Sequence, residues 1–373
     1  MRRNQIDQIL HDLEKKIVFI VGPRQVGKTW LAKEIARKFK HSQYLNYDRF
    51  EDQQIIKAES WPRNTDLLIL DELHKMHGWK NYIKGVFDTR AEGLRILVTG
   101  SARLDAFRQT GDSLAGRFFA HRLLPFSLAE IKKHNELANI ERFIERGGFP
   151  EPFLAESETD ARRWRNQYID GLIRTDILNF ENINDLHAIK VVFEILRRSV
   201  GSPLSVASIA RDAGVSPVTA TRYIGILEAL FIIFRIYPYS NNIGRSILKA
   251  PKVYFYDTPL VVGDIGAKFE NHLAVSLLKH VSASNDCLGD TLDLKYLRTK
   301  EGREVDFCLC RDQQVLMAIE AKSGRDKIAA GLVWFCEKYN LKGVQVVKDL
   351  KREQSSGNFD LVDADRFLKE LYL

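Results

Sequence analysis

Gly22-Pro23-Arg24-Gln25-Val26-Gly27-Lys28-Thr29 has the spacing G-x-x-x-x-G-K-[ST]. Residue types in this order suit the β- and γ-phosphates of a nucleotide. Gly22 and Gly27 let backbone amides turn inward where a Cβ would obstruct them, and Lys28 brings a point charge to the β/γ oxygens. The Thr29 hydroxyl is a ligand for Mg²⁺. An apolar run, Ile17 to Val21, precedes the loop, and a helical pattern follows whose positive N-terminus would face the phosphates. ATP with Mg²⁺ is the expected cofactor pair.

Leu67-Leu68-Ile69-Leu70-Asp71-Glu72 is a second apolar run, ending in two carboxylates. There Asp71 would hold Mg²⁺ through water, and Glu72 would polarise the attacking water as base or orienting group. A third run, Arg95 to Val98, leads into Thr99-Gly100-Ser101-Ala102, where Thr99 or Ser101 could bond the γ-phosphate or the attacking water. Arg117 follows Ser113-Leu114-Ala115-Gly116 and could neutralise transition-state charge, within its own subunit or in a neighbour. Arg174, near Asp176, is either a further phosphate contact or half of an internal ion pair.

A separate constellation lies near the C-terminus: Glu270, Asp306, Glu320 and Lys322. Strand alternation sets Asp306 opposite Val305 and Phe307, and puts Glu320 and Lys322 on one face, so the carboxylates and lysine converge if their strands pair. Such a set suits a second Mg²⁺ or Mn²⁺: Asp306 and Glu320 as ligands, Glu270 completing the shell and Lys322 orienting or deprotonating water. A polar strand edge with an ordinary Glu–Lys pair is the alternative.

Four regions would position these groups. Residues 1–127 alternate strand and helix patterns, as a parallel sheet with crossover helices does. Residues 128–200 are mostly helical, with Phe143, Trp164, Tyr168, Phe180 and Phe193 as anchors, and read as a lid. Residues 201–257 read as a winged helix-turn-helix. Ser205 caps one helix, Ser216 and Pro217 open the next, and strands Phe231–Tyr237 and Lys252–Tyr256 form a hairpin. In it Thr219, Thr221 and Arg222 could reach DNA bases, with Arg245 and Lys249 on phosphates. Residues 258–373 form another α/β domain, with Glu270 on a helix and strands near 293–298, 304–310, 315–322 and 343–347.

Composition narrows the function class. In 373 residues, 45% are hydrophobic and 28% charged, the balance of a folded globular chain. The net charge of +7 permits a polyanionic partner without requiring one, because 56 basic residues are interspersed with 49 acidic ones. Four cysteines, two of them at 308 and 310, match neither a zinc knuckle nor a redox pair and read as free thiols. No run approaches the ~18 apolar residues of a membrane span, nor does the start read as a signal peptide, so a cytoplasmic chain without a membrane partner is expected.

These residues resemble a family of prokaryotic AAA-type ATPases whose C-terminal part is a domain of unknown function related to the PD-(D/E)xK nucleases. The similarity spans essentially the whole chain, through residues 22–29, Leu-Asp-Glu at 70–72, Val-Thr-Gly-Ser at 98–101, Leu-Ala-Gly-Arg at 114–117 and Leu-Pro-Phe-Ser at 124–127. Gly-Gly-Phe-Pro at 147–150, Phe-Glu-Asn at 269–271, Glu-Val-Asp-Phe at 304–307 and Ile-Glu-Ala-Lys at 319–322 complete it. Trp30 departs from the pattern, since a small or polar residue is commoner after Lys-Thr. The resemblance implies ATP binding, hydrolase activity and a nuclease-like α/β fold at 258–373. The expected function is an ATPase whose nucleotide state controls a nucleic-acid-associated nuclease-like domain. The alternative is a nucleotide-gated switch that binds a protein partner and carries an inactive nuclease-like domain. A homo-oligomer is expected where Arg117 acts between subunits.

Overall fold

In Ile17–Val21 and Leu67–Leu70 every residue is apolar, a pattern that suits strands covered on both faces. The computed structural model describes residues 3–100, 114, 116–131, 138–172, 185–240, 250–324 and 327–372. These divide into two compact units, one of residues 3–124 with 286–288 and one of 125–285 with 289–372, each within the described ranges.

In the first unit, α1 (Ile6–Leu13) precedes β1 (Ile17–Val21), and α2 (Lys28–Ala36) leads to β2 (Ser42–Asn46). Then come α3 (Phe50–Ala58), β3 (Leu67–Asp71), α4 (Trp79–Thr89), β4 (Arg95–Gly100) and β5 (Phe118–Arg122). The sheet order is β2-β3-β4-β1-β5, all parallel. β4 lies between β1 and β3 with Val21 opposite Gly100 and Thr99 opposite Asp71, so the loop after β1 and the acidic end of β3 share the carboxyl edge. That edge is where open parallel sheets bind ligands.

Phe19, Leu68, Leu70, Ile96 and Val98 form the centre of this core, joined by Ile83 and Val86 of α4. Each such side chain contributes about 1.5–3 kcal/mol by leaving water. Phe19 also meets Phe118 edge-on with ring centroids 5.3 Å apart. β2 and β5 are not apparent from the sequence, because Ser42–Asn46 is polar and Phe118–Arg122 mixes aromatic with basic residues.

The second unit begins with short helices α5 (Leu128–Ile131), α6 (Ile140–Arg146), α7 (Pro150–Leu154) and α8 (Glu158–Gly171), followed by α9 (Leu186–Arg197). The expected aromatic anchors Phe143, Trp164, Tyr168 and Phe193 are buried, whereas Phe180 lies outside the described residues. Trp164 and Tyr168 stack at 4.8 Å.

Next are α10 (Val206–Asp212) and α11 (Pro217–Ala229), capped by the Ser205 and Ser216 hydroxyls accepting from the Ser208 and Thr219 amides. β6 (Ile233–Ile236) pairs antiparallel with β7 (Lys252–Phe255). The long helix α12 (Ile265–Ala283) carries Glu270. Asn271 on it bonds both the amide and the carbonyl of Phe255, at 2.8 and 2.9 Å, and so fastens β7 to α12.

A six-stranded sheet completes the unit: β8 (Leu292–Arg298), β9 (Glu304–Arg311), β10 (Gln314–Lys322), β11 (Gly343–Val347), β12 (Gln354–Ser356) and β13 (Phe359–Asp363). α13 (Ala330–Tyr339) precedes β11, and α14 (Ala364–Glu370) follows β13. The order is β12-β13-β11-β10-β9-β8, antiparallel from β8 through β10 and parallel across β10, β11 and β13. Short, polar β12 and the mixed β13 carry too little apolar alternation to be read from sequence. Cys308, Cys310 and Cys336 are buried and Cys287 is half-buried, and none of the four is in a disulfide. Among the described residues no helix is long and apolar enough to cross a membrane.

Candidate functional site

The loop after β1 is shaped by its glycines. Gly22 has φ +153° and a Cβ there would fall 2.2 Å from the Leu123 carbonyl oxygen, so backbone packing excludes a side chain as firmly as any ligand would. Gly27 sits in the left-handed region at the N-cap of α2, where the chain turns into the helix. Lys28 is buried and donates to the carbonyls of Gly22 and Pro23 at 2.9 and 2.6 Å. Burial lowers its pKa to about 8, although Glu72 and Asp71 pull the other way.

Asp71 is the hub of the carboxyl edge. Its Oδ2 accepts from the Thr29 hydroxyl at 2.9 Å and the Tyr44 hydroxyl at 2.5 Å, while Oδ1 accepts from Thr99. Three donors therefore orient one carboxylate next to the start of α2. A hydroxyl and a carboxylate oxygen side by side at the end of β3 fit the donor set Mg²⁺ takes beside nucleotide phosphates.

Glu72 adopts a left-handed backbone, φ 58°, with its amide on the Thr99 carbonyl. Its carboxylate lies 3.5 Å from Lys75 Nζ and 3.6 Å from His74 Nε2. Burial raises its pKa, and Lys75 holds part of that rise back. Lys75 also bonds Asp48 at 2.7 Å.

Sequence reasoning missed two groups here. Tyr44 stands on polar β2, which gives no strand signal; only its place after the pairing of β2 with β3 makes it visible. Arg3, almost fully buried, donates to the Val26 carbonyl at 2.6 Å and the Leu124 carbonyl at 3.1 Å, so it grips the phosphate-binding loop from below. An arginine three residues from the start carries no sequence sign of burial.

Arg117 is elsewhere. Its carbonyl accepts from the Ile17 amide at 3.1 Å, at the amino edge of the sheet, while its guanidinium pairs with Asp88 at 2.8 Å. The length of β1, about 16 Å at the usual rise, separates that edge from the loop of its own subunit. This removes the within-subunit option of the sequence reading. Ser101, Arg174, Asp176, Arg245 and Lys249 lie outside the described residues. Trp30 is 41% exposed, so its bulk points away from the core.

In the second unit, β9 and β10 pair antiparallel with Ile319 opposite Phe307, which brings Asp306 and Glu320 together. Asp306 Oδ2 accepts from the Ala321 amide at 3.0 Å, and Lys322 Nζ reaches Glu320 at 2.6 Å. Glu270 lies within the same cluster, and the link is a residue the sequence reading did not include. Lys252 Nζ, at the start of β7, is 2.7 Å from Glu304, 3.3 Å from Asp306 and 3.6 Å from Glu270. Its side chain is 1% exposed.

Tyr254, two residues on, donates to Glu270 at 2.8 Å. A Cβ at Gly201 would come 2.6 Å from a Glu270 oxygen, so glycine there leaves room for the carboxylate. Burial, then the charge of Asp306, raises the pKa of Glu270 and of Glu320 to about 7. Burial alone would lower that of Lys252, but Asp306, Glu270 and Glu304 outweigh it and lift it. The signal in the sequence was a lone lysine opening the apolar strand Val253-Tyr254-Phe255-Tyr256. Among the described residues no group of three or more His, Cys, Asp or Glu side chains is arranged to hold a metal ion.

On α11, Thr221 and Arg222 are exposed, and the Thr221 hydroxyl is turned onto the Pro217 carbonyl. Leu227, Leu230 and Phe231 are buried in the core.

With this geometry, the comparisons define a class. Residues 14–132 match the model of an AAA domain, and the first unit's five-stranded parallel sheet carries its phosphate loop and acidic strand end. The chain therefore contains a P-loop ATPase domain of the AAA type, a fold that binds ATP, typically with Mg²⁺. Residues 137–268 and 265–367 match two domains of unknown function, DUF8612 and DUF4143.

The chain is 25% identical to an uncharacterised protein of Mycobacterium tuberculosis over 306 residues, covering 78% of this chain and 67% of that one. It is 25% identical to an uncharacterised protein of Methanocaldococcus jannaschii over 343 residues, covering 82% and 75%. Among solved structures it is similar to a Walker-type ATPase of Pyrococcus abyssi, with 15% identity and a TM-score of 0.45 over 70% of this chain and 94% of that one.

Proposed function

We propose that the protein is a Mg²⁺-dependent ATPase whose nucleotide state controls its nucleic-acid-associated, nuclease-like C-terminal domain. The observation that carries the first part is the Asp71 hub, where Thr29 and the acidic end of β3 meet beside the phosphate loop. Lys28, now on the Gly22 and Pro23 carbonyls, would transfer its charge to the β/γ oxygens. Thr29 and Asp71 would hold Mg²⁺, which neutralises phosphate charge when bound. Glu72, whose pKa burial raises, would orient or deprotonate the attacking water. Thr99 serves by fixing Asp71, and Ser101 would be the γ-phosphate sensor. Arg117 would act on a neighbouring subunit's nucleotide, in a homo-oligomer.

The second part rests on the helix–helix–hairpin order of residues 201–257, which suits a winged helix-turn-helix, and on the meeting of Asp306, Glu320, Lys322 and Glu270. DNA or another nucleic acid is the proposed partner, and a second Mg²⁺ or Mn²⁺ the proposed ion. In the present arrangement the carboxylates enclose an ammonium, which leaves a divalent ion no place among them. Cleavage of DNA or RNA with Mg²⁺ or Mn²⁺, lost in Asp306→Ala and Lys322→Ala, is the expected result. No cleavage of any form would retire the nuclease-like activity.

The buried Lys252 ammonium favours a second reading, a nucleotide-gated switch that binds a protein partner and carries an inactive nuclease-like domain. DNA binding across a salt series separates the two. A steep fall in affinity with salt marks phosphate contacts, and binding no stronger than a net charge of +7 explains favours the switch.

A further inference from the structure

Glu270, Glu304 and Asp306 reach one point from three positions, one on α12 and two on the outward face of the Glu304-Val305-Asp306 alternation of β9. A cluster of carboxylates this buried needs a cation, since like charges in a poorly solvated site repel strongly. The cation is supplied by the chain itself. Lys252 comes from β7, whose far end is fastened to α12 by Asn271, and its side chain is 1% exposed. Tyr254 Oη donates to the same Glu270 oxygen that faces Lys252, the Ala321 amide takes the second oxygen of Asp306, and Arg298 holds the other oxygen of Glu304.

We propose that Lys252 is the built-in occupant of the C-terminal cation position, so that a divalent ion enters only when the lysine leaves. Lysine and metal would then be mutually exclusive ligands of Glu270 and Asp306. Lys252 stands on β7, Glu304 and Asp306 on β9 and Glu270 on α12, so withdrawal of the lysine side chain alone would vacate the position without unfolding either strand. The proposal rests on the nuclease-like reading for the identity of the competing ion. Its own content is the competition between an ammonium and a metal.

The test is Mn²⁺ binding to the full-length, nucleotide-free protein, followed by the electron paramagnetic resonance signal of free Mn²⁺. Lys252→Met keeps the stem and removes the charge. It is expected to bind one Mn²⁺ at least about tenfold more tightly than wild type, because a hard divalent ion seeks the same carboxylates. Asp306→Asn placed in the Lys252→Met background should remove that gain. Glu304→Gln breaks the shortest contact to Lys252 while sparing Glu270, Asp306 and Glu320, and should give a smaller gain in the same direction. It decides the matter if Lys252→Met does not fold.

Folded variants of both kinds that bind Mn²⁺ no better than wild type would overturn the proposal and leave Lys252 a permanent structural counter-ion. A gain in Mn²⁺ binding with no cleavage by any variant upholds the exchange while retiring the nuclease activity. Cleavage by wild type without any gain on loosening Lys252 does the reverse.

Discussion

The Thr29 hydroxyl donates to Asp71 Oδ2 at 2.9 Å, joining the first turn of the helix after the phosphate loop to the end of a strand 42 residues further on. On the proposed reading both groups would hold one Mg²⁺, and the contact already sets them side by side. Tyr44 closes on the same oxygen and Thr99 on the other. The carboxylate is therefore held before nucleotide arrives, the preorganisation that phosphoryl transfer rewards.

Tyr44→Phe removes the hydroxyl that donates to Asp71 and keeps the ring. ATP turnover should fall about tenfold, equivalent to about 1.4 kcal/mol and within the range for one hydrogen bond to a charged group. The KM for ATP should change less than the turnover, because the strongest contact of the Tyr44 hydroxyl is with Asp71 rather than with the backbone of the loop. Steady-state kinetics at saturating Mg²⁺ checks this, and a rise in KM alone would assign Tyr44 to nucleotide binding.

Arg3→Ala withdraws the guanidinium from the carbonyls of Val26 and Leu124. Two buried acceptors lose their partner, which should cost the first unit about 2 kcal/mol or more. Since Val26 lies inside the phosphate loop, ATP affinity should weaken as well. Denaturant unfolding with and without ATP measures both effects. Unchanged affinity in the folded variant would limit Arg3 to a structural role.

His280 supplies a pH dependence. Its Nδ1 accepts from the Tyr372 amide at 2.9 Å, and burial lowers its pKa below 6.5. The fold holds the neutral ring, so as pH drops below about 6.5 the unfolded chain takes up the proton first and this part of the fold loses stability. Protonation of Nδ1 also removes the acceptor for Tyr372. The protection of the Tyr372 amide against exchange should fall as pH drops below about 6.5, and His280→Gln should abolish that pH dependence.

The nucleotide side is legible in the sequence because its chemistry is local. Gly22 to Thr29 and Leu67 to Glu72 each bring their working groups within a few residues, next to apolar runs whose burial follows from composition. Ser205, Ser216 and Pro217 likewise announce their helices through side chains that act on the next turn.

What stayed hidden depends on pairing across distance. Tyr44 matters because polar β2 lies beside β3, and Arg3 because the chain start passes under the loop. Arg117 looked close to the nucleotide by its small-residue context, yet β5 runs parallel to β1 and leaves it at the opposite edge. At the C-terminal cluster, Asp306 and Glu320 could be matched from alternation alone. Lys252 could not, since it arrives from a hairpin 54 residues before Asp306 and owes its place to Asn271.

The most direct measurement of the central claim is Mg²⁺-dependent ATP turnover by wild type and Lys28→Ala, with folding of both checked by circular dichroism. On the proposed reading Lys28 would bring its charge to the phosphates, while in the resting loop it donates to the carbonyls of Gly22 and Pro23. Turnover by wild type should stop when Mg²⁺ is chelated, and should fall at least about a hundredfold in Lys28→Ala. Equal turnover by the two proteins would contradict that claim.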